Sequence, residues 1–378
     1  MMEPYNATRA PHRKLSLCIF TSTTTLSKFH DTWTEHEMAR NQAAWLLEAK
    51  LKPLKVQDAP DPKPGPGEVV IKNAAVAINP VDWKMQQGLF LKKFPYILGT
   101  DVAGTVEEVG EGVTRINKGQ RVIAHMIGLA TGDLADAAFQ LYSKTLETVV
   151  SPIPDSLSFE DAAVLPLAIS TAAAGLYQKP HLALPFPSTN PQPTDKTLLV
   201  WGGSSSVGAT TIQLAVALGL KVVATASRKN HDFVKSLGAA AVVDYNSPGV
   251  VDEVLAAIDQ QGGNIVGAYD AISEPASLKL IGAITDKLGV LPVAVVLPPP
   301  EGLTKTVEAK KIIAPSVALE HKEVGDAVWR KFVPEALASG QLKAKPDALV
   351  VGKGLERIQE AIDRQQAGVS AQKVVVSL

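Results

Sequence analysis

Cysteine is nearly absent from this chain of 378 residues, in which Cys18 is the only thiol. A single cysteine excludes a disulfide framework and any cysteine-rich zinc site. An excess of one charge is also missing, because 37 Lys and Arg face 38 Asp and Glu, for a net charge of −1. Without a basic field we expect no nucleic-acid partner. No apolar run reaches the roughly 18 residues of a transmembrane helix, so we expect no membrane partner.

What remains is the composition of a globular protein. The chain is 46% hydrophobic and 20% charged, and it is long enough for two domains with separate cores. Its 28 glycines and 26 prolines are about average, which excludes fibrous and broadly disordered classes.

Residues 1–38 differ from the rest. The stretch Pro4–His30 has no acidic residue but carries four basic ones and many hydroxyls, as in Thr21–Thr25. This composition is typical of a mitochondrial transit peptide. A disordered tail, a cloning remnant and a misplaced start codon, with Met38 as the true start, are the alternatives. We expect a cytoplasmic protein, or a mitochondrial one if the extension is a targeting signal.

The segment after Met38 predicts a β-rich domain. Short β-branched runs alternate with Gly and Pro turns, which favours a compact set of short strands. The predicted strands are Glu68–Lys72, Thr105–Gly110 and Arg121–Ala124, after a hairpin start over 43–58. An Ala-rich helix over Ser158–Ala174 and a loop with five prolines over Lys179–Lys196 follow.

From Thr197 onward, strands alternate with helices of about ten residues, the rhythm of βαβ units and a doubly wound parallel sheet. The predicted strands are Thr197–Trp201, Lys221–Ala226, Ala240–Asp244, Val266–Ile272 and Val290–Leu297. The predicted helices between them are Ala209–Leu218, His231–Leu237, Val250–Ile258 and Ala276–Thr285. The tail adds helices over Val324–Leu337 and Leu355–Gln366 and a final strand, Lys373–Val376.

A small-residue turn joins the first of these strands to its helix. Small residues let the backbone approach a pyrophosphate, and the helix N-terminus supplies N–H donors. Against the Gly-x-Gly-x-x-Gly pattern, Gly203 and Gly208 match and Ser205 replaces the middle glycine. The predicted cofactor residues here are Gly203, Ser204, Ser205, Ser206, Val207 and Gly208. A tight turn that binds nothing is the alternative, and the surrounding βα repeats favour the dinucleotide site.

The end of the second strand predicts which dinucleotide is bound. NAD sites carry an acid about 20 residues after the turn, to accept from the ribose hydroxyls. Here the strand ends without an acid before Asp232. Ser227 and Asn230 can hydrogen-bond a 2′-phosphate, and Arg228 or Lys229 can neutralise it. We therefore expect NADPH; a solvated basic loop is the alternative.

Several motifs together resemble the medium-chain dehydrogenase/reductase superfamily in its zinc-independent, quinone-reductase-like branch. They are Ile78–Lys84, Leu98–Gly104, Gly119–Val122, Ala162–Pro166 and Gly202–Gly208. The likeness covers roughly residues 43–378 and is nearest to fungal CipB-like dehydrogenases and trans-acting enoyl reductases. It implies an α/β fold, in which a GroES-like β-rich catalytic domain (39–165 plus 318–378) carries an inserted Rossmann domain (166–317) that binds NADPH.

The resemblance also implies metal-free chemistry. Zinc-dependent relatives have a cysteine near Pro80–Asp82 and Gly-His-Glu where this chain has Gly99-Thr100-Asp101. Alcohol oxidation needs a Lewis acid to stabilise the alkoxide, whereas the product of hydride addition to a conjugated C=C delocalises its charge as an enolate. We expect an NADPH-dependent reductase of an enone or quinone. The alternatives are a trans-acting enoyl reductase, which takes thioesters from a polyketide synthase, and a non-catalytic NADPH-binding protein.

Three candidate catalytic residues follow from the same likeness. Lys84 matches an active-site lysine of polyketide enoyl reductases, and a surface lysine is its alternative. Thr171 matches a threonine against the nicotinamide; a helix cap or a hydroxyl bonded back to its own helix is the alternative. Asn79 matches a residue near the nicotinamide, or else it forms an Asn-Pro turn. Asp82 is expected to order the cofactor loop rather than act as an acid, which leaves water as a candidate proton donor.

The remaining cofactor contacts are also implied only by the resemblance. Tyr245 would stack near the adenine, and the Leu297 backbone would pass near the nicotinamide. Ser370 and Ala371 would close over the far side of the cofactor. Relatives often dimerise through the last Rossmann strand, here taken as Val290–Leu297, so either a monomer or a homodimer is expected.

Overall fold

The computed structural model describes residues 41–91 and 93–378, so the predicted extension 1–38 lies outside the described residues. The strands before the glycine-rich turn are β1 Gln42–Leu46, β2 Lys55–Asp58, β3 Glu68–Ala77, β4 Tyr96–Ile97, β5 Asp101–Val109, β6 Arg121–His125, β7 Tyr142–Leu146 and β8 Val150–Pro152. Those from the turn onward are β9 Lys196–Trp201, β10 Lys221–Thr225, β11 Ala241–Val243, β12 Asn264–Asp270, β13 Leu291–Val295, β14 Val307–Lys311, β15 Asp347–Lys353 and β16 Gln372–Ser377.

Eleven α-helices occur in this part of the chain. They are α1 Pro80–Gln86, α2 Gly128–Thr131, α3 Phe159–Ala162, α4 Pro166–Tyr177, α5 Ser206–Val216, α6 His231–Ser236, α7 Val250–Gln260, α8 Pro275–Leu288, α9 Lys322–Gly325, α10 Val333–Ser339 and α11 Ile358–Gln366. A π-helical segment, Asp326–Phe332, joins α9 to α10. The predicted single helix Val324–Leu337 is therefore divided, next to Pro334, which cannot donate an intrahelical hydrogen bond.

The β-rich part of the chain contains two sheets. A small antiparallel sheet has the order β2-β1-β4, and a seven-stranded sheet has the order β15-β16-β3-β5-β6-β8, with β7 also paired to β3. The C-terminal strand β16 runs antiparallel to β3. The last residues of the chain therefore complete the sheet formed by its first strands.

The six-stranded sheet is parallel throughout, with the order β11-β10-β9-β12-β13-β14. Alternate side chains of β9 face opposite layers: Leu198 and Val200 pack with α4 and α5, whereas Leu199 and Trp201 pack with α7 and α8. The strand order reverses between β9 and β12, the point where open α/β sheets bind ligands. The predicted doubly wound sheet is confirmed.

The last strand of this sheet was not predicted. We expected Val290–Leu297 to be last, but β13 lies inside the sheet, between β12 and β14. The sequence of β14, Val-Glu-Ala-Lys-Lys, lacks an apolar run, and its lysines are exposed. Charged residues are typical of sheet edges, where they oppose pairing with another chain. The last strand on this side of the sheet is thus β14, and the expectation that placed it at Val290–Leu297 is wrong.

Helix α4 joins the two parts of the fold. The segment Phe159–Tyr177 is long and apolar enough to cross a membrane, but 78% of it is buried inside the protein. Its apolar residues pack in one cluster with Ala75 and Ile123 of the β-rich sheet and with Leu198 and Val200 of the parallel sheet. The hydropathy of this segment is thus explained by the core.

Candidate active site

Helix α1 places Asn79 and Asp82 at the start of the site. Pro80 opens the helix, where its missing N–H costs nothing. The backbone N–H of Asn79 donates to Asp82 Oδ2 over 2.7 Å, so the carboxylate closes the first turn. Asp82 therefore orders this loop, as its sequence context suggested.

The side chain of Asn79 makes hydrogen bonds to other residues of the protein. Its Nδ2 donates to Thr100 Oγ1 at 3.0 Å and to Asp101 Oδ2 at 2.7 Å. Its Oδ1 accepts a hydrogen bond from Lys373 Nζ. Because both N–H groups have partners, Asn79 has only acceptor capacity left for another molecule. Its predicted place near the nicotinamide stays a prediction.

Lys373 and Asp101 form a buried ion pair. The Nζ of Lys373 lies 2.9 Å from Asp101 Oδ2, and their side chains are 5% and 0% exposed. The other oxygen of Asp101 accepts from the backbone N–H of Leu167 at the start of α4. Asn79, Asp82, Asp101 and Lys373 are called the ammonium–carboxylate cluster below. Lys373 was not predicted as a site residue; a lysine inside the apolar strand that ends the chain was the signal for it.

Asp82 is the unusual acid of this cluster. Burial raises its pKa to about 7, and Asp101 adds to the rise, while the backbone N–H of Asn79 and the charge of Lys373 oppose it. Its Oδ1 is buried with no partner among the described residues. Asp82 therefore holds its proton over a pH range in which an exposed aspartate is ionised.

We expect Asp82→Asn to flatten the pH dependence of stability. Folding raises the pKa of Asp82 from 3.8 to about 7, so the native state binds more protons in that interval. The stability from Asp82 is full below 3.8 and is lost as the pH rises toward about 7. Thermal unfolding midpoints measured across this interval should converge at low pH, with the variant more stable at the upper end. Parallel curves for variant and wild type would contradict this assignment.

The buried His125 has the opposite effect on the pH dependence of stability. It is present in both the wild type and the Asp82→Asn variant. Burial lowers its pKa to about 4, although the charge of Asp101 raises it. Its Nδ1 lies 2.9 Å from Ser170 Oγ, which also accepts from Trp329 Nε1 at 3.0 Å. His125 is thus hydrogen-bonded through Nδ1 beside α4, and among the described residues it belongs to no group that could hold a metal ion.

Thr171 follows Ser170 on α4. Its hydroxyl donates to the Leu167 carbonyl over 2.6 Å, and its own carbonyl accepts from the Tyr269 hydroxyl at 2.8 Å. The back-bonded state considered for this residue is therefore present, and only the hydroxyl lone pairs are left for a ligand. Its contact with a nicotinamide stays a prediction.

Lys84 lies outside the ammonium–carboxylate cluster. Its Nζ is 5.4 Å from the centre of the Trp83 ring, and the side chain is half-buried. Its ammonium makes no hydrogen bond or ion pair within residues 41–91 and 93–378. This ammonium is thus free to reach a ligand, in contrast to Lys373.

The glycine-rich turn has the geometry of a phosphate cradle. Ser205 accepts from the Gly208 N–H at 3.0 Å and caps α5. A Cβ on Gly208 would lie 2.2 Å from the Gly202 carbonyl oxygen, so only glycine fits there. The first N–H groups of a helix lack intrahelical partners. The backbone N–H groups of Ser206 and Val207 are therefore hydrogen-bond donors at the turn.

Asn230 brings the predicted cofactor residues together. Its Nδ2 lies 3.3 Å from Ser204 Oγ, 3.2 Å from Ser227 Oγ and 3.1 Å from Ser370 Oγ. The turn, the end of β10 and the start of β16 thus meet at one buried amide. The side chains of Arg228 and Lys229 are exposed beside it.

The other predicted contacts are more dispersed. Tyr245 is 41% exposed beyond β11. Leu297 is half-buried two residues beyond β13, where the neighbouring Val296 N–H donates to Ser273 Oγ at 2.8 Å. Ala371 has a left-handed φ of 51°, which turns the chain between Ser370 and β16. Their roles toward a cofactor stay predictions.

Known proteins share this architecture over nearly the whole described chain. Two protein-family models match: the alcohol dehydrogenase GroES-like domain at residues 65–154 and the zinc-binding dehydrogenase domain at residues 206–338. The chain is 48% identical to the trans-enoyl reductase himH of Aspergillus japonicus, over 89% of this chain and 97% of that protein. It is 42% identical to the zinc-binding alcohol dehydrogenase domain-containing protein cipB of Emericella nidulans, over 89% and 98%.

A solved quinone oxidoreductase from Pseudomonas syringae pv. Tomato DC3000 has the same fold, with 25% identity and a TM-score of 0.65 over 90% of this chain and 99% of that one. The chain belongs to the medium-chain dehydrogenase/reductase superfamily. It is an oxidoreductase with a GroES-like domain and a Rossmann-like domain, as its motifs indicated.

The residues present do not fit the zinc that one of these family names implies. The two segments where zinc-dependent relatives carry ligands do meet here, through Asn79, Thr100 and Asp101. The cation between them is the Lys373 ammonium. Within the described residues, no group of three or more His, Cys, Asp or Glu is placed to hold a metal. An amide, a hydroxyl and a paired carboxylate are a poor donor set for Zn²⁺.

Proposed function

We propose that this protein is an NADPH-dependent reductase of a C=C bond conjugated to a thioester carbonyl. The observation that carries the proposal is the pairing of a dinucleotide cradle with a buried lysine where a metal-dependent relative would hold its cation. Without a metal to bind an alkoxide, the substrate itself must delocalise the charge left by hydride addition. A conjugated carbonyl does so as an enolate.

The thioester class is favoured by the relatives. The protein from Aspergillus japonicus, 48% identical over almost its full length, is named a trans-enoyl reductase. This supports a substrate delivered by a polyketide synthase. The solved structure named a quinone oxidoreductase supports a free enone or quinone as the second candidate substrate. An NADPH-binding protein without turnover is the remaining alternative.

The residues of this chain have separate tasks in the proposed reaction. The N–H groups at the start of α5 and the Gly202–Ser205 turn hold the pyrophosphate, and Asn230 fixes the three serines around it. NADPH supplies the hydride when bound. The ammonium–carboxylate cluster fixes the start of α1, the helix that carries Lys84. Lys84 would orient the thioester carbonyl, and solvent would supply the proton.

The proposal is tested by turnover. The purified protein is mixed with NADPH and matched panels of enoyl thioesters, free enones and quinones, and nicotinamide oxidation is followed by absorbance. We expect the highest kcat/KM with enoyl thioesters. Faster turnover of quinones would favour the second candidate, and tight NADPH binding without turnover of any substrate would favour the non-catalytic alternative.

We expect Arg228→Ala to weaken NADPH binding selectively. Arg228 is exposed at the end of β10, next to Ser227 and Asn230, and would neutralise the 2′-phosphate. A hydrogen bond to a charged group contributes about 1.5–3 kcal/mol, so KM for NADPH should rise by about tenfold or more. KM for NADH, which lacks this phosphate, should stay the same. Lys235→Ala, on α6, is the charge-matched control. Equal losses for both nucleotides would exclude a 2′-phosphate contact.

A further inference from the structure

A second basic site lies at the edge of the parallel sheet, outside the cofactor cradle. A cavity of about 310 Å³ opens between the end of β14, the loop after α4 and the segment after β14. Lys310, Lys311, His181 and His321 line it, with Glu320 as the acidic residue of the lining. Gln178 and Ser316, joined by a hydrogen bond of 2.8 Å, also line it.

Acidic residues offset only part of the charge of this cavity: His321 Nδ1 lies 3.3 Å from Glu323 Oε1, and Glu320 is in the lining. Among the described residues, neither Lys310 nor Lys311 has a carboxylate within ion-pair distance. Burial and the positive charges of Lys310 and His321 lower the pKa of His181, although its hydrogen bond to the Lys310 backbone raises it. The Nδ1 of His181 is buried and unpartnered among the described residues. Edge protection explains exposed lysines on β14, but it does not explain a buried histidine nitrogen beside them that has no partner among the described residues.

The cavity lies close to the predicted nicotinamide end of the cofactor site. Lys311 pairs in register with Val295 on β13, and neighbouring strands are about 4.8 Å apart. Leu297, whose backbone is predicted to pass near the nicotinamide, lies two residues after Val295, roughly 6.6 Å further along the chain. On the other side, the Lys311 Nζ lies 5.9 Å from the ring of Phe90. Phe90 follows α1, the helix that carries Lys84, so Lys311 lies between the segment after α1 and the strand that leads to Leu297.

We infer that this cavity binds the phosphate of the pantetheine arm that carries the thioester. The inference rests on the proposed function, because only a thioester substrate brings such an arm. The ammonium groups of Lys310 and Lys311 offer N–H donors to one anion. The apolar Pro180 and Ile313 at the rim would contact the arm itself. The shared chemistry is a phosphate ester, found both in a carrier protein's prosthetic arm and in coenzyme A.

The test compares one enoyl group on four carriers: pantetheine, which has no phosphate, phosphopantetheine, coenzyme A and an acyl carrier protein. In the double variant Lys310→Glu/Lys311→Glu we expect KM to rise by about tenfold or more for the phosphopantetheine and carrier-protein thioesters. KM for the pantetheine thioester and kcat should change less than about twofold, within the effect of an ordinary surface substitution. Lys279→Glu/Lys287→Glu, the same charge change at two exposed positions of α8 across the sheet, is the control.

Each result separates this inference from the proposed function. If the wild-type protein turns over no enoyl thioester, the proposed function fails. If the wild type turns over all four but the double variant affects the pantetheine and phosphopantetheine thioesters equally, the cavity does not bind the phosphate. A loss confined to coenzyme A, which carries additional phosphates, would also overturn the assignment to the arm. Circular dichroism melting of the double variant checks that the edge strand is intact.

Discussion

Lys373→Met is expected to lower the free energy of unfolding by about 3–5 kcal/mol, because it leaves a buried carboxylate without its cation. Lys373 is 5% exposed and Asp101 is fully buried, so water cannot replace the lost ammonium. The substitution also removes the hydrogen bond to Asn79 Oδ1 and the charge that opposes protonation of Asp82. Methionine keeps most of the side-chain volume, so the effect reports charge rather than a cavity. Chemical denaturation with intrinsic fluorescence measures it.

Two further variants identify the cause of that loss. Lys353→Met removes an exposed lysine from β15, the strand next to β16, and should change stability by less than about 0.5 kcal/mol. In the double variant Lys373→Met/Asp101→Asn no buried charge is left unpaired, so part of the lost stability should return. If Lys373→Met costs no more than Lys353→Met, the ammonium is not the cation of this cluster. Metal analysis of Lys373→Met adds an independent measurement: a divalent ion bound stoichiometrically in that variant would contradict the poor fit to zinc.

The strand, turn and helix that form the predicted cofactor cradle were predictable from the sequence because their determinants are local. The small residues over 202–208, the apolar strand before them and the helix after them lie within some 20 positions, and their spacing is enough to define a strand–turn–helix unit. The parallel sheet was predictable for a similar reason, since each of its first strands is a short apolar run followed by a helix. Asn230 was expected to bind a phosphate; in the structure the N–H groups of its amide are directed at three serines from distant segments, so its contact with a phosphate stays a prediction.

The ammonium–carboxylate cluster was not predictable in this way. Lys373 reaches Asn79 across 294 positions of sequence, and only the pairing of β16 with β3 brings the two together. Composition and spacing carry no information on such a contact. Strand β14 escaped prediction for another reason: an edge strand is half solvated, so its sequence lacks the apolar run that marks its neighbours. The sheet edge, the cavity beside it and the buried cation all depend on tertiary pairing.

Gly208→Ala is expected to weaken NADPH binding by about 10- to 100-fold. The new Cβ would lie 2.2 Å from the Gly202 carbonyl oxygen and 2.9 Å from its carbonyl carbon, and backbone atoms cannot rotate away as a side chain can. The start of α5 must therefore move off the turn, which carries the N–H donors out of line with the pyrophosphate. Overpacking of this kind costs about 1–3 kcal/mol, and about 1.4 kcal/mol corresponds to a tenfold change in affinity. Calorimetric titration with NADPH measures the change.

Gly249→Ala separates this effect from a general loss of stability. Gly249 precedes α7 as Gly208 lies at the start of α5, but a Cβ there would meet its nearest atom at an ordinary 3.5 Å, and its φ of −97° suits any residue. We expect this control to bind NADPH as the wild type does. If Gly208→Ala is still folded by circular dichroism and binds NADPH with unchanged affinity, the turn does not hold the pyrophosphate. The cofactor would then have to lie elsewhere. The glycine at position 208 would be required only because α5 packs so closely against the end of β9.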